Sequence, residues 1–543
     1  MYSDISLTLN MTLTHFAHDY TYFHQITSLR FNSLHSTHDS WANIRKIILS
    51  TIHSDKKSNK TSVLSAKVLR GKPGDCRFCA IFAVVTRMKT DDFFRASGRI
   101  PSWAAAVSIY ATIISSVTYL TIPAKAFDTD WTYYPMLLTI PLVLPLVTRY
   151  YLPLFRRSGC TSAYELLEQR FSTSVRLMAS GLFCIYMVVR IALVLYLPAL
   201  AMSAVGGWDI HLSIVLVALF TTAYSAIGGL RAVIWGDVVQ GGILILGALA
   251  SAAWLIIGTE GGVTGFLHTA LADGKLRLVD WSMTPCRATW WVIIVGGLAS
   301  SLISYTSDQT LIQRYLSTRD THAASRSLHI NAWLYITSSI LFYAIGTGLY
   351  TFYSTRPLPP MSIDAVFPHF IVNELPAAVS LVMTLALAAA TMSTVSSCIN
   401  SLATAFNVDF VQRLHPNVSD SRLLLSARIT SIGAGLLGLV LALLMSTWHI
   451  TSLLDYFNTT LGLLTSGLGS LFFMAVFMKR IDATEALTGF ITGETVVFAV
   501  WLFTPLNFFL YSAIGLAVSI FFASALNLCR RHLSKGKTLN TQQ

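Results

Sequence analysis

One arginine stands in the middle of an apolar stretch that is long enough to cross a membrane. Arg190 is preceded by Ile185-Tyr-Met-Val-Val and followed by Ile-Ala-Leu-Val-Leu. An arginine at the centre of a span costs roughly 2.5–3.5 kcal/mol on insertion scales unless it is paired or hydrated. A guanidinium that faces a cavity can donate two parallel hydrogen bonds to a carboxylate. Arg190 therefore binds an anionic solute or forms a structural pair with a membrane acid.

Three acids are candidate partners for a structural pair with Arg190. All three lie in the predicted membrane spans that are given below. Glu494 is in the eleventh span, Asp455 is in the tenth, and Asp237 is near the cytoplasmic end of the fifth. Arg190 lies near the middle of its own span. Because a helix rises about 1.5 Å per residue, Arg190 should lie at a different depth in the membrane from Asp237. Direct pairing with Asp237 is therefore disfavoured, and the favoured partner is a carboxylate on the solute.

Asp237 is the second residue whose type and position could support chemistry. It occurs in Trp235-Gly-Asp-Val-Val-Gln. Its carboxylate suits a hard cation such as Na⁺, or a proton. An acid in the first turn of a helix, stabilised by the helix dipole, is an equally good interpretation.

A cluster of hydroxyl groups in the eighth predicted span favours the cation. Five of the seven residues from Thr391 to Ser397 carry a hydroxyl, and Ser393, Ser396 and Ser397 share one helix face. Clustered hydroxyls can replace the hydration shell of Na⁺, although small side chains also allow helices to pack closely. Histidine is scarce within the membrane, since His211, His329 and His369 lie at span ends, which favours Na⁺ over protons as the coupling ion.

Membrane helices must position these residues, because the composition excludes a soluble protein. Apolar residues make up 54% of the chain and charged residues 12%, whereas soluble domains carry about 25% charged residues. The mean hydropathy is +0.59. Helices are expected, because lipid cannot satisfy open backbone groups. Motifs of an enzyme, such as a nucleophile elbow or a P-loop, are not found, so no catalytic residue is expected.

The apolar runs predict twelve transmembrane helices. They lie near 103–122, 134–155, 175–204, 210–228, 235–258, 288–307, 328–353, 377–405, 424–446, 453–477, 484–503 and 506–527. Ten of these spans can form two five-helix halves. The first span of each half carries polar or small residues at mid-depth, namely Ser115, Ser116 and Thr118 in one and Gly296, Gly297, Ser300 and Ser301 in the other. Interrupted helices at equivalent places indicate a midplane binding site of a transporter.

The positive charges predict the orientation in the membrane. All but six of the 38 Lys and Arg fall in the N-terminal segment, the C-terminal tail and alternate loops. This positive-inside bias places both termini in the cytoplasm and requires an even number of spans. It also accounts for the net charge of +12 without nucleic acid as a partner. A multi-pass protein of the cell (inner) membrane is expected.

Four regions follow from this organisation. Residues 1–90 are polar and are expected to form a poorly ordered cytoplasmic extension. Residues 91–478 form the core of two five-helix repeats, and residues 479–528 form two additional transmembrane helices. Residues 529–543 form a cytoplasmic tail.

Two stretches of this sequence resemble the signature of the sodium:solute symporter family. They are Tyr224-Ser-Ala-Ile-Gly-Gly-Leu-Arg-Ala-Val-Ile-Trp-Gly-Asp-Val-Val-Gln and Asp308-Gln-Thr-Leu-Ile-Gln-Arg-Tyr. Gly98-Arg-Ile-Pro-Ser-Trp-Ala-Ala and Thr161-Ser-Ala-Tyr-Glu-Leu-Leu-Glu are similar to bacterial sodium-coupled sialic acid transporters within that family. The resemblance covers about residues 90 to 527. It implies an all-α, LeuT-type core of inverted repeats with alternating access, which takes up a small anionic solute together with sodium ions.

The resemblance also implies roles for individual residues. The main sodium site would use the carbonyl oxygens of Ala111, Ile114 and Ala390 and the hydroxyls of Ser393 and Thr394. A second sodium site would use Asp237, Ser393, Ser396 and Ser397. The substrate-binding residues would be Ser115, Thr118, Arg190, Ser301 and Tyr305, with Arg190 on the carboxylate. The protein is expected to be a monomer in the lipid bilayer.

Two departures from the sialic acid transporters bear on the solute. Leu137 stands where they have a glutamine, and Ser301 stands where they have an asparagine. The alternative is therefore a sodium symporter for another solute (a sugar, a monocarboxylate or a vitamin). An alternative from another class is a non-transporting receptor with the same fold.

Overall fold

The computed structural model describes residues 89–207, 209–448 and 452–540. The regular elements within these ranges are helices. All but the end of the expected polar extension, residues 1–90, lies outside these ranges. The helices are α1 (Thr90–Arg95), α2 (Ser102–Ile113), α3 (Ser116–Asp128), α4 (Tyr134–Ser158), α5 (Glu165–Arg170), α6 (Thr173–Gly206), α7 (Ile210–Gly258), α8 (Gly262–Ala272), α9 (Trp290–Ser307), α10 (Gln309–Leu316), α11 (Thr321–Tyr353), α12 (Ile363–Asn373), α13 (Ala377–Gln412), α14 (Asp420–Met445), α15 (Leu453–Phe477), α16 (Ala483–Phe503) and α17 (Phe509–Asn540).

Ten helices in these ranges are long and apolar enough to cross a bilayer. They are α4, α6, α7, α9, α11 and α13–α17. The pair α2 and α3 passes the same test as one span bent by 61°. The prediction of an all-α membrane protein is therefore confirmed, and several predicted bounds agree closely with the helices, including 377–405 in α13 and 453–477 in α15.

The first predicted span is broken where its polar residues occur. Ile114 and Ser115 have non-helical backbone angles, with ψ of 87° and 170°. The Ser115 hydroxyl accepts a hydrogen bond of 3.3 Å from the Thr118 backbone N–H at the start of α3. Serine is a favoured residue at the start of a helix for this reason. The expected interruption of this span is thus present.

The second expected interruption, at Gly296–Ser301, is wrong. Helix α9 continues through these residues to Ser307, and the chain leaves the helical conformation at Asp308, where ψ is 107°. The glycines allow close packing instead. A methyl group on Gly297 would lie 2.9 Å from the Thr139 Cγ2 atom of α4. Small residues at helix contacts produce the same sequence pattern as a break.

The predicted spans 210–228 and 235–258 both fall in α7, in which two helical segments meet at a kink. Gly229 has φ of 57° and ψ of −163° inside α7. A side chain there would also meet Phe93 of α1, whose Cα atom would lie 2.8 Å from the added Cβ. At about 1.5 Å per residue, the 49 residues of α7 amount to roughly 74 Å of helix on the two sides of the kink, which is enough for two crossings of a hydrocarbon core of roughly 30 Å.

Helix α13 lies at the centre of the arrangement and packs most extensively on α7, and also on α6 and α14. Its contacts with α2 place the hydroxyl cluster beside the broken span. Residues Ser393, Thr394, Ser396 and Ser397 are buried. The packing of four helices around α13 therefore positions the candidate site.

Candidate functional site

The broken end of α2 presents backbone carbonyl groups to the site. The last carbonyls of any helix lack intrahelical partners, and the helix dipole makes this end partly negative. The carbonyl oxygen of Ala111 lies 3.1 Å from the Ser393 hydroxyl, and that of Thr112 lies 3.4 Å from the Thr394 hydroxyl. The break at Ile114 thus provides oxygen atoms that can accept a cation.

More acceptors than donors meet at Ser393. Its hydroxyl oxygen lies 3.1 Å from the Ala111 carbonyl and 2.6 Å from the Asp237 carboxylate. A serine hydroxyl has one proton, so it can donate to only one of these oxygens at a time. An oxygen-rich group of this kind suits a hard cation such as Na⁺.

The five residues of the expected main sodium site are all buried. The structure places Ser393 against the carbonyl of Ala111 and Thr394 against that of the adjacent Thr112. Ile114 and Ala390 are 0% and 1% exposed. Ile114 lies in the break between α2 and α3, and Ala390 lies one turn before Thr394 on α13.

Asp237 is fully buried in the interior of α7, eight residues beyond the kink, so the interpretation as a first-turn acid is wrong. Its carboxylate accepts hydrogen bonds from the hydroxyls of Ser108 at 2.5 Å and Ser393 at 2.6 Å. It also forms an ion pair of 3.2 Å with Arg314.

Two other residues of the expected second sodium site have different partners. The Ser396 hydroxyl donates to the Ser393 carbonyl at 3.0 Å. The Ser397 hydroxyl lies 3.0 Å from the Thr112 hydroxyl and in contact with the Arg314 guanidinium. The structure therefore joins Asp237 directly to Ser393, and to Ser397 through Arg314.

Arg314 is a central residue that sequence reasoning missed. It is fully buried, and it donates to the Ser108 hydroxyl at 2.8 Å and the Thr310 carbonyl at 2.7 Å. Positive-inside counting places it in a cytoplasmic loop. No local signal in the sequence marks it as buried, because it follows the end of the span α9, where charged residues are usually in loops.

Arg190 lies in α6 and is 7% exposed. Its Nη2 atom donates to the Thr112 carbonyl at 3.3 Å, and its Nη1 atom lies 3.4 Å from the Tyr186 hydroxyl. Nη1 also lies 3.4 Å from the Asp308 carboxylate. The broken end of α2 thus contacts both Arg190 and the hydroxyl cluster.

A protein carboxylate does lie beside Arg190, but it belongs to Asp308 and to none of the three candidate acids. Asp237 pairs with Arg314, so the expectation that it does not pair with Arg190 is confirmed. Glu494 accepts hydrogen bonds from the Gly467 N–H at 2.8 Å and the Ser466 hydroxyl at 3.1 Å. Asp455 lies in the first turn of α15.

A cavity of about 200 Å³ opens beside Arg190. Thr118, Arg190, Ser301 and Tyr305 line it, so four of the five expected substrate-binding residues are brought together. Ser115 is not in this lining, and its side chain caps α3. Leu137 and Ser301, the two departures, both line the cavity.

Two lining residues have fixed hydrogen-bond partners. The Ser301 hydroxyl lies 3.0 Å from the Thr139 hydroxyl of α4. The Tyr305 hydroxyl accepts a hydrogen bond of 2.7 Å from the Asn331 amide of α11. These contacts hold polar groups in a cavity lining that also contains apolar side chains such as Leu137.

Comparison with known proteins gives concordant matches. The chain matches the sodium:solute symporter family over residues 93–493. It is 36% identical to the sodium/sialic acid symporter SiaT of Proteus mirabilis (strain HI4320) over 435 residues, which is 79% of this chain and 88% of that protein. It is 30% identical to the sodium-coupled monocarboxylate transporter 1 of Homo sapiens over 426 residues, which is 76% of this chain and 69% of that protein. A solved structure of the substrate-bound outward-open state of a Na⁺-coupled sialic acid symporter has a TM-score of 0.77 at 32% identity, covering 83% of this chain and 96% of that chain.

Proposed function

Since the chain belongs to the sodium:solute symporter family, we propose that it uses a sodium gradient to take up sialic acid or a related sugar acid by alternating access. The observation that carries this proposal is the break at Ile114. At this break the Ala111 carbonyl contacts the hydroxyl cluster, and the adjacent Thr112 carbonyl accepts a hydrogen bond from Arg190. A cation and an anionic solute would therefore bind at the same helix end.

The main sodium ion would bind the carbonyl oxygens of Ala111, Ile114 and Ala390 and the hydroxyls of Ser393 and Thr394. The surplus of acceptors around Ser393 and the partial negative charge of the helix end support this assignment.

A second sodium ion would bind Asp237, Ser393, Ser396 and Ser397. The direct contact between Asp237 and Ser393 supports it. Arg314 would have to share the Asp237 carboxylate with that ion, because its guanidinium already contacts Asp237 and Ser397.

The solute carboxylate would bind Arg190, with Thr118, Ser301 and Tyr305 on the surrounding cavity wall and Ser115 at the break. A buried guanidinium that lines a cavity supports the anionic character of the solute. Both termini would lie in the cytoplasm, and the protein would act as a monomer in the cell (inner) membrane.

Twelve spans in two inverted five-helix repeats would form the transporter. The kinked α7 is long enough for two spans that meet at Gly229. With α2 and α3 as one broken span and the nine other membrane helices, the number is even, as the charge bias requires. The four regions expected from the sequence remain part of this proposal.

A monocarboxylate is the second candidate solute. Leu137 is an apolar residue in the cavity lining, where the sialic acid transporters would offer an amide to a sugar hydroxyl. A smaller, less polar solute would lose less binding affinity from the replacement of that amide by Leu137.

Uptake from a solute panel distinguishes the candidates. Purified full-length protein in proteoliposomes would be given an inward sodium gradient and radiolabelled sialic acid, pyruvate or biotin. Sodium-dependent accumulation of sialic acid alone supports the proposal. Accumulation of pyruvate without sialic acid would replace the sugar acid by a monocarboxylate, and binding without accumulation of any solute would indicate a receptor.

A further inference from the structure

Asp308 places a carboxylate inside the cavity that holds Arg190. Both residues line the cavity, although they are 118 positions apart in the chain. The Asp308 side chain is 14% exposed and the Arg190 side chain 8%. An acid of the protein therefore occupies the space beside the cation that is proposed to bind the solute.

One oxygen of Asp308 is anchored and the other is not. The Oδ1 atom accepts a hydrogen bond of 2.8 Å from the Thr310 backbone N–H and so caps the start of α10. The Oδ2 atom faces Arg190. The capping contact fixes the residue, while its second oxygen can exchange partners.

The contact with Arg190 is long and single. Its 3.4 Å compares with 2.7–2.9 Å for strong charge-assisted hydrogen bonds. Arg176, in contrast, contacts Glu168 at 2.6 Å and Asp409 at 2.8 Å. The Asp308 contact is thus the longest of these ion pairs, which suits a partner that is displaced.

Arg190 retains donors for another anion. Its Nε atom is buried and has no hydrogen-bond partner within the described ranges. A guanidinium has five N–H donors in a planar fork, and a carboxylate binds two of them side by side. A solute carboxylate can therefore bind Arg190 more strongly than Asp308 does.

We infer that Asp308 is a specificity-determining residue that occupies the position of the solute carboxylate while the cavity is empty. This inference rests on the proposed function. Loading replaces one carboxylate on Arg190 by another, so only solutes with an anionic group can compete. Asp308 raises the solute concentration needed for binding, and it keeps the buried guanidinium paired between cycles.

The variant Asp308→Asn tests this inference, because asparagine caps helices as well as aspartate does. Binding would be measured on full-length purified protein at saturating Na⁺, with N-acetylneuraminic acid and its methyl ester as probes. The variant should bind the acid about five-fold more tightly, as expected for loss of roughly 1 kcal/mol of competition. Affinity for the ester should not change.

Asp320→Asn is the matched control. Asp320 also caps a helix, with a hydrogen bond of 2.7 Å from the Ala323 N–H, but it is not in the cavity lining. It should leave the affinities for acid and ester unchanged. Equal or weaker binding of the acid by Asp308→Asn, with a normal wild-type affinity, would overturn the inference and leave the proposed function intact.

A measurement without solute separates a failure of this inference from a failure of the proposed function. The melting temperatures of Arg190→Gln, Asp308→Asn and the double variant would be compared in the sodium-loaded protein. Non-additive losses support the resting pair, even if the wild type binds neither probe and sialic acid is thereby excluded. Additive losses would overturn the inference whatever the solute is.

Discussion

The Ser393 hydroxyl oxygen lies 2.6 Å from a carboxylate oxygen of Asp237 in the helical core. It also lies 3.1 Å from the carbonyl oxygen of Ala111 at the broken end of α2. One side chain on α13 therefore connects two neighbouring helices. Both proposed sodium sites depend on it.

Replacing Ser393 by alanine should weaken sodium binding. Ser393→Ala removes one ligand from each proposed site, so the sodium concentration for half-maximal uptake should rise about three- to ten-fold, as for one lost hydrogen-bonding group. Ser401→Ala is the control, because Ser401 lies two turns further on α13 and donates to the Ser397 carbonyl at 2.9 Å. Unchanged sodium dependence in correctly inserted Ser393→Ala would remove this residue from the sites.

Ser396→Ala should act differently. It removes a ligand of the second site alone, so the Hill coefficient for sodium should fall while uptake persists. Sodium titrations of uptake measure this coefficient. An unchanged coefficient would mean that Ser396 binds no ion, and that its hydroxyl serves only its hydrogen bond to the Ser393 carbonyl.

Replacing only one residue of the ion pair between Asp237 and Arg314 should destabilise the protein more than replacing both residues. Asp237→Asn leaves a fully buried guanidinium without its counter-charge, which costs about 3–5 kcal/mol in comparable pairs. The double variant Asp237→Asn/Arg314→Gln should recover part of the melting temperature. Equal losses in the single and double variants would contradict a coupled pair.

Glu168 should confer pH-dependent stability. It lies in the short helix α5, outside the membrane spans. Partial burial raises the pKa of its carboxyl, but hydrogen bonds from Thr173, Arg176 and Arg413 outweigh this effect and lower the pKa to about 2. An acid with a depressed pKa stabilises the fold above its unfolded pKa of about 4.3, and the stabilisation is lost as the pH falls towards 2.

The difference in melting temperature between wild type and Glu168→Gln measures this contribution. It should be constant from pH 8 to pH 5 and should shrink below pH 4. Arg413→Gln removes one of the three donors, whose contact is 2.8 Å, and should show a smaller difference with the same pH dependence. A difference that grows on acidification would contradict the assignment.

Arg190→Lys should weaken solute binding while the protein still inserts and folds. Lysine keeps the charge but loses the two-pronged geometry, so affinity for the carboxylated solute should fall about ten-fold or more. Arg170→Lys is the matched control, because Arg170 donates to the carbonyls of Met478 and Ile481, lies over the Phe171 ring and is not in the cavity lining. Normal affinity in Arg190→Lys would return Arg190 to a structural role.

The sequence predicted the helices and one break well because these depend on local properties. Bilayer-length apolar runs define the spans, and Ser115 carries a capping preference in its own side chain. The hydroxyl cluster was likewise visible, since three of its serines share a helix face. Gly296 and Gly297 misled the prediction, because small residues serve packing as well as interruption.

The roles of Asp308 and Arg314 could not be predicted from local pattern. Asp308 meets Arg190 across 118 positions and Arg314 meets Asp237 across 77. Both follow the end of a span, where charged residues are usually in loops. Only the turn of the chain back into the core, after the non-helical Asp308, shows that they are buried partners.

The most direct test of sodium-coupled uptake of a carboxylated solute is a competition experiment in proteoliposomes. Radiolabelled sialic acid uptake would be measured with an inward sodium gradient, and in sodium-free buffer with an inward proton gradient. Uptake should require sodium, and unlabelled sialic acid should block it while the methyl ester should not, because only the acid offers Arg190 a charged partner. Equal uptake with protons alone, or equal inhibition by acid and ester, would contradict the account.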